Sequence, residues 1–189
     1  MRRRGPGRDF AAEMQTMQRL VFTIEGIQEL HRWTHASLGL VLDHVAKIPA
    51  DDYSKELAGF GFPTLRQQVI HIFNCENTWV MALQKRSYVD RIAGDCPNVP
   101  EAKLLQEETR QRTLGYLSGL TEQQLNIPTE LRFPDGDTAI HKPSFVLHHV
   151  LTHAFHHKGQ IVAMCRLLGY PAPDTDLNQF DRIRSVGDF

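Results

Sequence analysis

The chain has 189 residues, 41% of them hydrophobic and 23% charged, with a formal net charge of −1. That length supports a core of ordinary size, and that balance excludes a dedicated nucleic-acid binder, which carries a basic face or a high pI. No apolar run approaches the roughly 18 residues that a membrane span needs, and Arg2–Arg4 are not followed by the apolar region of a signal peptide.

The basic opening "MRRRGPG" reads as part of a flexible tail over residues 1–14, because Gly and Pro follow at once and no apolar pattern begins. The first helical pattern runs from about Thr16 to Lys47, with a break near Gly26; "LHRWTHASLGLVLDHVAKI" is its stronger part. Pro49 and Asp51-Asp52 end it. His31 and His35, an i, i+4 pair on this helix, are expected at its surface or shoulder. The second helix runs from about Thr64 to Lys85, with Leu65, Val69, Ile72, Trp79 and Leu83 at helical spacing. The third follows Pro100, from about Glu101 to Leu120, and is richest in charge. A long connection comes next, in which Asp135-Gly136 between "ELRF" and "DTAI" suits a small hairpin or an ordered loop. The segment 121–142 is therefore expected to cover or line a site. The fourth helix starts near Lys142-Pro143-Ser144 and runs to Leu168, with Gly169 as its C′ residue and Pro171 as its stop. The sequence after Pro171 is polar and expected to be irregular. No repeat or composition shift divides the chain, so 1–189 reads as one all-α domain, an antiparallel four-helix bundle with a long loop or small hairpin before the last helix.

The fourth helix carries five histidines within ten positions, in "HHVLTHAFHHKGQ". At about 100° per residue, with His153 at zero, the stripe of Val146, Val150, Ile161, Met164 and Leu168 centres near +50°. His157 falls in its middle at about +40° and His153 on its flank. His149 and His156 fall at the edge, and His148 outside. Two imidazoles facing an apolar interior each need partners for an N–H and a lone pair, and an unpaired buried polar group costs ~1–3 kcal/mol. A divalent metal takes the lone pairs, and the i, i+4 spacing brings two ring nitrogens within reach of one ion. A third protein ligand would leave a position open for water or substrate. The second helix offers His71, Cys75 and Glu76 for that place, and its periodicity leaves the choice among them open. Glu76 also suits a role behind a ligand, accepting a hydrogen bond from its ring.

The phrases "RWTHASLGLVLDHVAKIP" at 32–49, "PTLRQQVIHIFNCENTW" at 63–79 and "HHVLTHAFHHKGQI" at 148–161 resemble the DinB/YfiT-like superfamily of metal-dependent proteins. The likeness extends from about Leu30 to Leu168. It implies a four-helix bundle of up-down-down-up order and a three-histidine metal site of His71, His153 and His157. It also implies a divalent ion, zinc or nickel first and iron or manganese next, and a homodimer. One departure from the family phrase is Lys158 in place of Arg, at a position expected to point away from the stripe. Gly159 is expected to let a neighbouring helix or chain approach closely, and Gln160 to hydrogen-bond near the site.

The expected function is that of a metalloenzyme acting on a small-molecule substrate. The resemblance points to a transferase or isomerase that depends on a low-molecular-weight thiol. A metal-dependent hydrolase is the alternative within the enzymes. A non-enzymatic metal-binding or stress-response bundle is the alternative outside them, with Cys75 as the residue that would close the metal's sphere. Ferritin-like di-metal sites need Glu-x-x-His on two helices and zinc proteases need His-Glu-x-x-His, and neither pattern occurs. Cys75, Cys96 and Cys165 make no disulfide framework, so a reducing, cytoplasmic setting is expected. Cys96 reads as an exposed thiol and Cys165 as core.

Overall fold

The structure, a computed structural model, describes residues 22–180. The expected tail at 1–14 and the expected helix start near Thr16 lie outside the described residues.

Six α-helices and one hairpin make up the described chain. Helix α1 spans Ile24–Val45, and Thr23 caps it by accepting from the Gly26 N–H. Gly26 therefore sits in the first turn, and the helix runs through it without a break. Helix α1 stops at Val45, just short of the expected Lys47, and Pro49 caps a one-turn helix, α2 (Ala50–Tyr53). Helix α3 (Leu65–Leu83) starts from a capping box of Thr64 and Gln67. Helix α4 (Val99–Ser118) starts on the Asn98 cap, and Pro100 lies inside its first turn, where the missing N–H costs nothing. The short α5 (Glu122–Asn126) leads to strands β1 (Thr129–Arg132) and β2 (Thr138–His141). They pair antiparallel, Thr129 with His141 and Arg132 with Thr138, around Gly136 at φ 94°. The Asp-Gly turn read from the sequence is thus a hairpin. Helix α6 (Pro143–Leu167) is the longest, and Gly169 at φ 89° closes it. A 3₁₀ turn at Leu177–Gln179 lies in the otherwise irregular segment beyond.

The four long helices form a ring in which α1 packs on α4 and α6, and α3 packs on the same two. Helices α1 and α3 therefore face each other across the diagonal. The main core fills the space between them, with Leu38, Val41, Leu42, Val69, Ile72, Phe73 and Ile161. The hairpin closes one flank, where Leu131 is buried with Ala82, Leu83 and Val146. Cys165 is buried as expected. Cys96 is buried too, 3% exposed, because the loop before α4 folds it into the main core, so the expectation of an exposed thiol is corrected. Among the described residues no helix is long and apolar enough to cross a membrane.

Candidate metal centre

Helices α3 and α6 bring His71, His153 and His157 together, with one donor atom from each lying within 4.8 Å of the others. The Nε2 atoms of His71 and His153 stand 3.1 Å apart. The His157 ring centroid is 4.6 Å from that of His71 and 4.4 Å from that of His153. His157 is buried, His71 and His153 are half-buried, and His148 and His156 are exposed, the order that the helical wheel gives. The Phe62 ring stacks on His71 at 3.9 Å.

One residue behind this group fixes its chemistry. Gln68, fully buried on α3, donates through Nε2 to the Phe62 carbonyl at 2.9 Å and to Gln160 Oε1 at 2.7 Å. Both partners are acceptors, so the Gln68 amide has one orientation. Its Oε1 then accepts the Nδ1–H of His157 at 2.7 Å. With the proton on Nδ1, His157 keeps a bare lone pair on Nε2. Gln160 continues the chain, donating from Nε2 to His156 Nε2 at 2.7 Å. Gln160 lies near the site as its place in the sequence implies, whereas Gln68 is not among the residues the sequence reading singles out. The signal was present, since Gln68 is a polar residue one turn before His71 and inside the apolar stripe.

Burial keeps these rings neutral. It lowers His153 to about 3, with the neighbouring imidazoles of His157 and His71 adding to the effect. It lowers His157 to about 4, with His71 and His156 adding. His71 is also lowered by burial, against the opposing pull of Asp90. His153 Nδ1 is buried without a protein partner. Converging neutral imidazoles, one of them held in the tautomer that bares its lone pair, fit a divalent ion.

The other expected neighbours fall elsewhere. Cys75 is half-buried and outside the three-histidine group; burial, with Glu76 beside it, pushes its thiol up to about 12. Glu76 does not stand behind a ligand of this group. It is 2% exposed and turned to the bundle diagonal, where the Nε2–H groups of His31 and His35 donate to it at 2.8 and 3.1 Å. His31 and His35 are therefore buried, 1% and 4% exposed, and the expectation of a surface or shoulder pair is corrected. Lys158 does not point away either. Its Nζ is buried and donates to Ser37 Oγ at 3.1 Å and to the Thr175 carbonyl at 2.7 Å. Among the described residues Gly159 faces open space, with nothing within 4 Å of a Cβ placed there.

Beside His71 opens a cleft of about 550 Å³, lined among others by Phe62, Asn74, Asp90, Arg91 and Ile92. Its far wall is pinned to α3. Asn74 donates to the Arg91 carbonyl at 2.8 Å and accepts the Arg91 N–H at 3.0 Å, and Thr78 donates to Asp90 at 3.0 Å. The hairpin reaches the opposite end of the histidine row. Trp79 of α3 packs against Phe133, His141 and His149, and His149 leads on to His153 at 5.9 Å.

Comparisons with known proteins agree with this architecture. Protein DinB of Bacillus subtilis (strain 168) is 24% identical over 144 residues, covering 72% of this chain and 82% of that protein. The crystal structure of a DinB-like protein from Bacillus cereus ATCC 10987 superposes with a TM-score of 0.64 at 19% identity, covering 80% of this chain and 97% of that one. A DinB-like protein from Bacillus subtilis gives 0.56 at 18% identity, over 78% and 98%. At these identities the likeness to the solved structures concerns the fold. The DinB family profile matches residues 14–185, and the chain belongs to the DinB family.

Proposed function

We propose that this protein is a metal-dependent enzyme in which His71, His153 and His157 hold one divalent ion, zinc or nickel first and iron or manganese next. The observation that carries the reading is the convergence of three neutral imidazoles from α3 and α6, with Gln68 fixing the tautomer of His157. An ion held by three neutral ligands keeps its full charge and an open position, and lowers the pKa of a bound water or thiol toward neutrality. The chain's own residues orient and enclose. Gln68 holds the His157 ring, Phe62 covers one face of His71, and the cleft beside His71 offers room for a small molecule. Arg91 and Asp90 supply charges of both signs along that cleft.

The favoured reaction is attack of a low-molecular-weight thiol on an electrophilic substrate, as a transfer or as a thiol-assisted isomerisation. This step rests on the family resemblance. Hydrolysis at the same centre is the second reading. A non-enzymatic metal-binding or stress-response bundle would need a closed sphere of four protein ligands. Cys75, outside the three-histidine group and with a thiol pushed up to about 12, is poorly suited to close it. The working form is proposed as a cytoplasmic homodimer. The activity is tested by loading the chain with zinc or nickel and screening small thiols against electrophiles. Turnover in the wild type and none in His71→Ala supports the thiol reading. Ester or amide hydrolysis without thiol, with the same sensitivity, selects the hydrolase.

A further inference from the structure

A second set of metal-type donors lies on the other side of α3. His71 and Glu76 are five residues apart, which places them about 140° apart around the helix and about 7.5 Å apart along it. His31 and His35, one turn apart on α1, meet Glu76 across the diagonal. Each imidazole takes a different oxygen: His31 Nε2 stands 2.8 Å from Oε1 and His35 Nε2 3.1 Å from Oε2. The two rings are 4.2 Å apart between centroids, and one donor atom from each residue lies within 4.8 Å of the other two. Thr113 of α4 donates to Oε1 at 2.6 Å, which orients the carboxylate.

A carboxylate this buried needs opposite charge as well as hydrogen-bond donors. Burial alone would raise Glu76, but the charge of His35 and the hydrogen bonds of both imidazoles outweigh it and hold the carboxyl well below its usual range. Two neutral imidazoles supply donors without charge. The cluster is balanced by a proton on one ring or by a cation between them. Two histidines and one carboxylate are the donor set of mononuclear zinc sites and of the facial triad that holds ferrous iron.

We propose that His31, His35 and Glu76 form a second divalent-cation site, separate from the three-histidine centre, which binds through the two Nε2 atoms and the Glu76 carboxylate. At metal–ligand distances near 2.1 Å, tetrahedral donors stand about 3.4 Å apart, so seating an ion opens the present 2.8 and 3.1 Å contacts by about 0.6 and about 0.3 Å. The ring proton that leaves Nε2 passes to Nδ1, and in both rings Nδ1 is buried without a partner and free to take it. A ring that starts as imidazolium instead releases one proton to solvent. Access comes from a groove of about 620 Å³ between α1 and α4, whose lining includes His31 together with Gln28, Gln111 and Leu114. That groove does not touch the three-histidine centre.

The test uses the full chain carrying His153→Ala and His157→Ala, which removes two donors of the first centre and leaves α1, Glu76 and Thr113 intact. The metal-free variant is titrated with zinc by calorimetry while the histidine ring signals are followed by NMR. The expected result is about one zinc per chain, with the His31 and His35 signals shifting as it binds. Adding Glu76→Gln is expected to weaken binding at least a hundredfold, with helicity checked by circular dichroism. Where either change unfolds the bundle, the His31 and His35 signals of the remaining folded protein, wild type included, answer the same question. Binding that leaves both signals in place, or no zinc bound, overturns the proposal and leaves a hydrogen-bonded cluster balanced by a proton. Because the first centre is absent from this background, the outcome does not depend on the reading of His71, His153 and His157.

Discussion

The Nδ1–H of His157 donates to Gln68 Oε1 at 2.7 Å, and this one bond decides which nitrogen of His157 is bare. Gln68 cannot rotate its amide without facing its NH₂ group toward that ring proton and losing its donations to Phe62 and Gln160. Replacing it with leucine keeps the volume and removes the acceptor. Gln68→Leu is expected to lower zinc affinity by about 10–100-fold, the usual effect of losing a ligand's outer partner. Competition with a chelating dye measures this, and an unchanged affinity would refute the role given to Gln68.

The metal-free protein should lose stability in acid over a definite window. His153 and His157 protonate at about 3 and about 4 in the folded chain, because burial and neighbouring imidazoles disfavour the charge. Unfolded, they protonate near 6.5. Between those values the unfolded chain binds more protons, so stability falls as pH drops from about 6.5 toward about 4. Urea midpoints of the metal-free chain at pH 7, 6, 5 and 4 should decline through that range. His153→Leu should decline less steeply.

Lys158 ties the segment after α6 to the bundle. Its ammonium spans Ser37 of α1 and the Thr175 carbonyl, and Ser37 itself donates to that carbonyl at 2.7 Å. Lys158→Met leaves these groups a donor short and should cost ~1–3 kcal/mol. Limited proteolysis should then cut within residues 171–180 faster, with the helical core still protected.

The C-terminal cap of α6 gives a smaller, local effect. Gly169 holds φ 89° with open space around its Cβ position, and the Tyr170 N–H reaches back to the Cys165 carbonyl at 2.8 Å. Gly169→Ala meets no clash but is strained in this left-handed turn. It should lower stability by about 1 kcal/mol in a denaturant titration.

Much of this architecture is legible in the residues. The periodicity of α3 and α6, the Asp-Gly turn and the Gly169 stop are local signals, and each matches its element to within a few residues. The burial order along α6 is legible for the same reason, since one helix's stripe sets it. What failed needed knowledge of a neighbour. His31 falls within the stripe of Ile27, Leu38, Val41, Leu42 and Val45 and His35 at its edge, but what makes their burial tolerable is a carboxylate from the opposite helix. Glu76 is that carboxylate, and the sequence suggested a partner for it on the wrong side of α3. Lys158 is buried because the segment after α6, around Thr175, folds back over it. Periodicity reports which face is apolar. It does not report which polar groups will be paired inside.

The proposed binding of a metal by His71, His153 and His157 is checked by elemental analysis of wild type and His153→Ala, both purified without an affinity tag or added metal. The expected result is that the wild type carries one equivalent of a first-row divalent metal that His153→Ala lacks. A wild type that takes up no zinc, nickel or manganese when offered them, or a variant that keeps all of the wild-type metal, would contradict the claim.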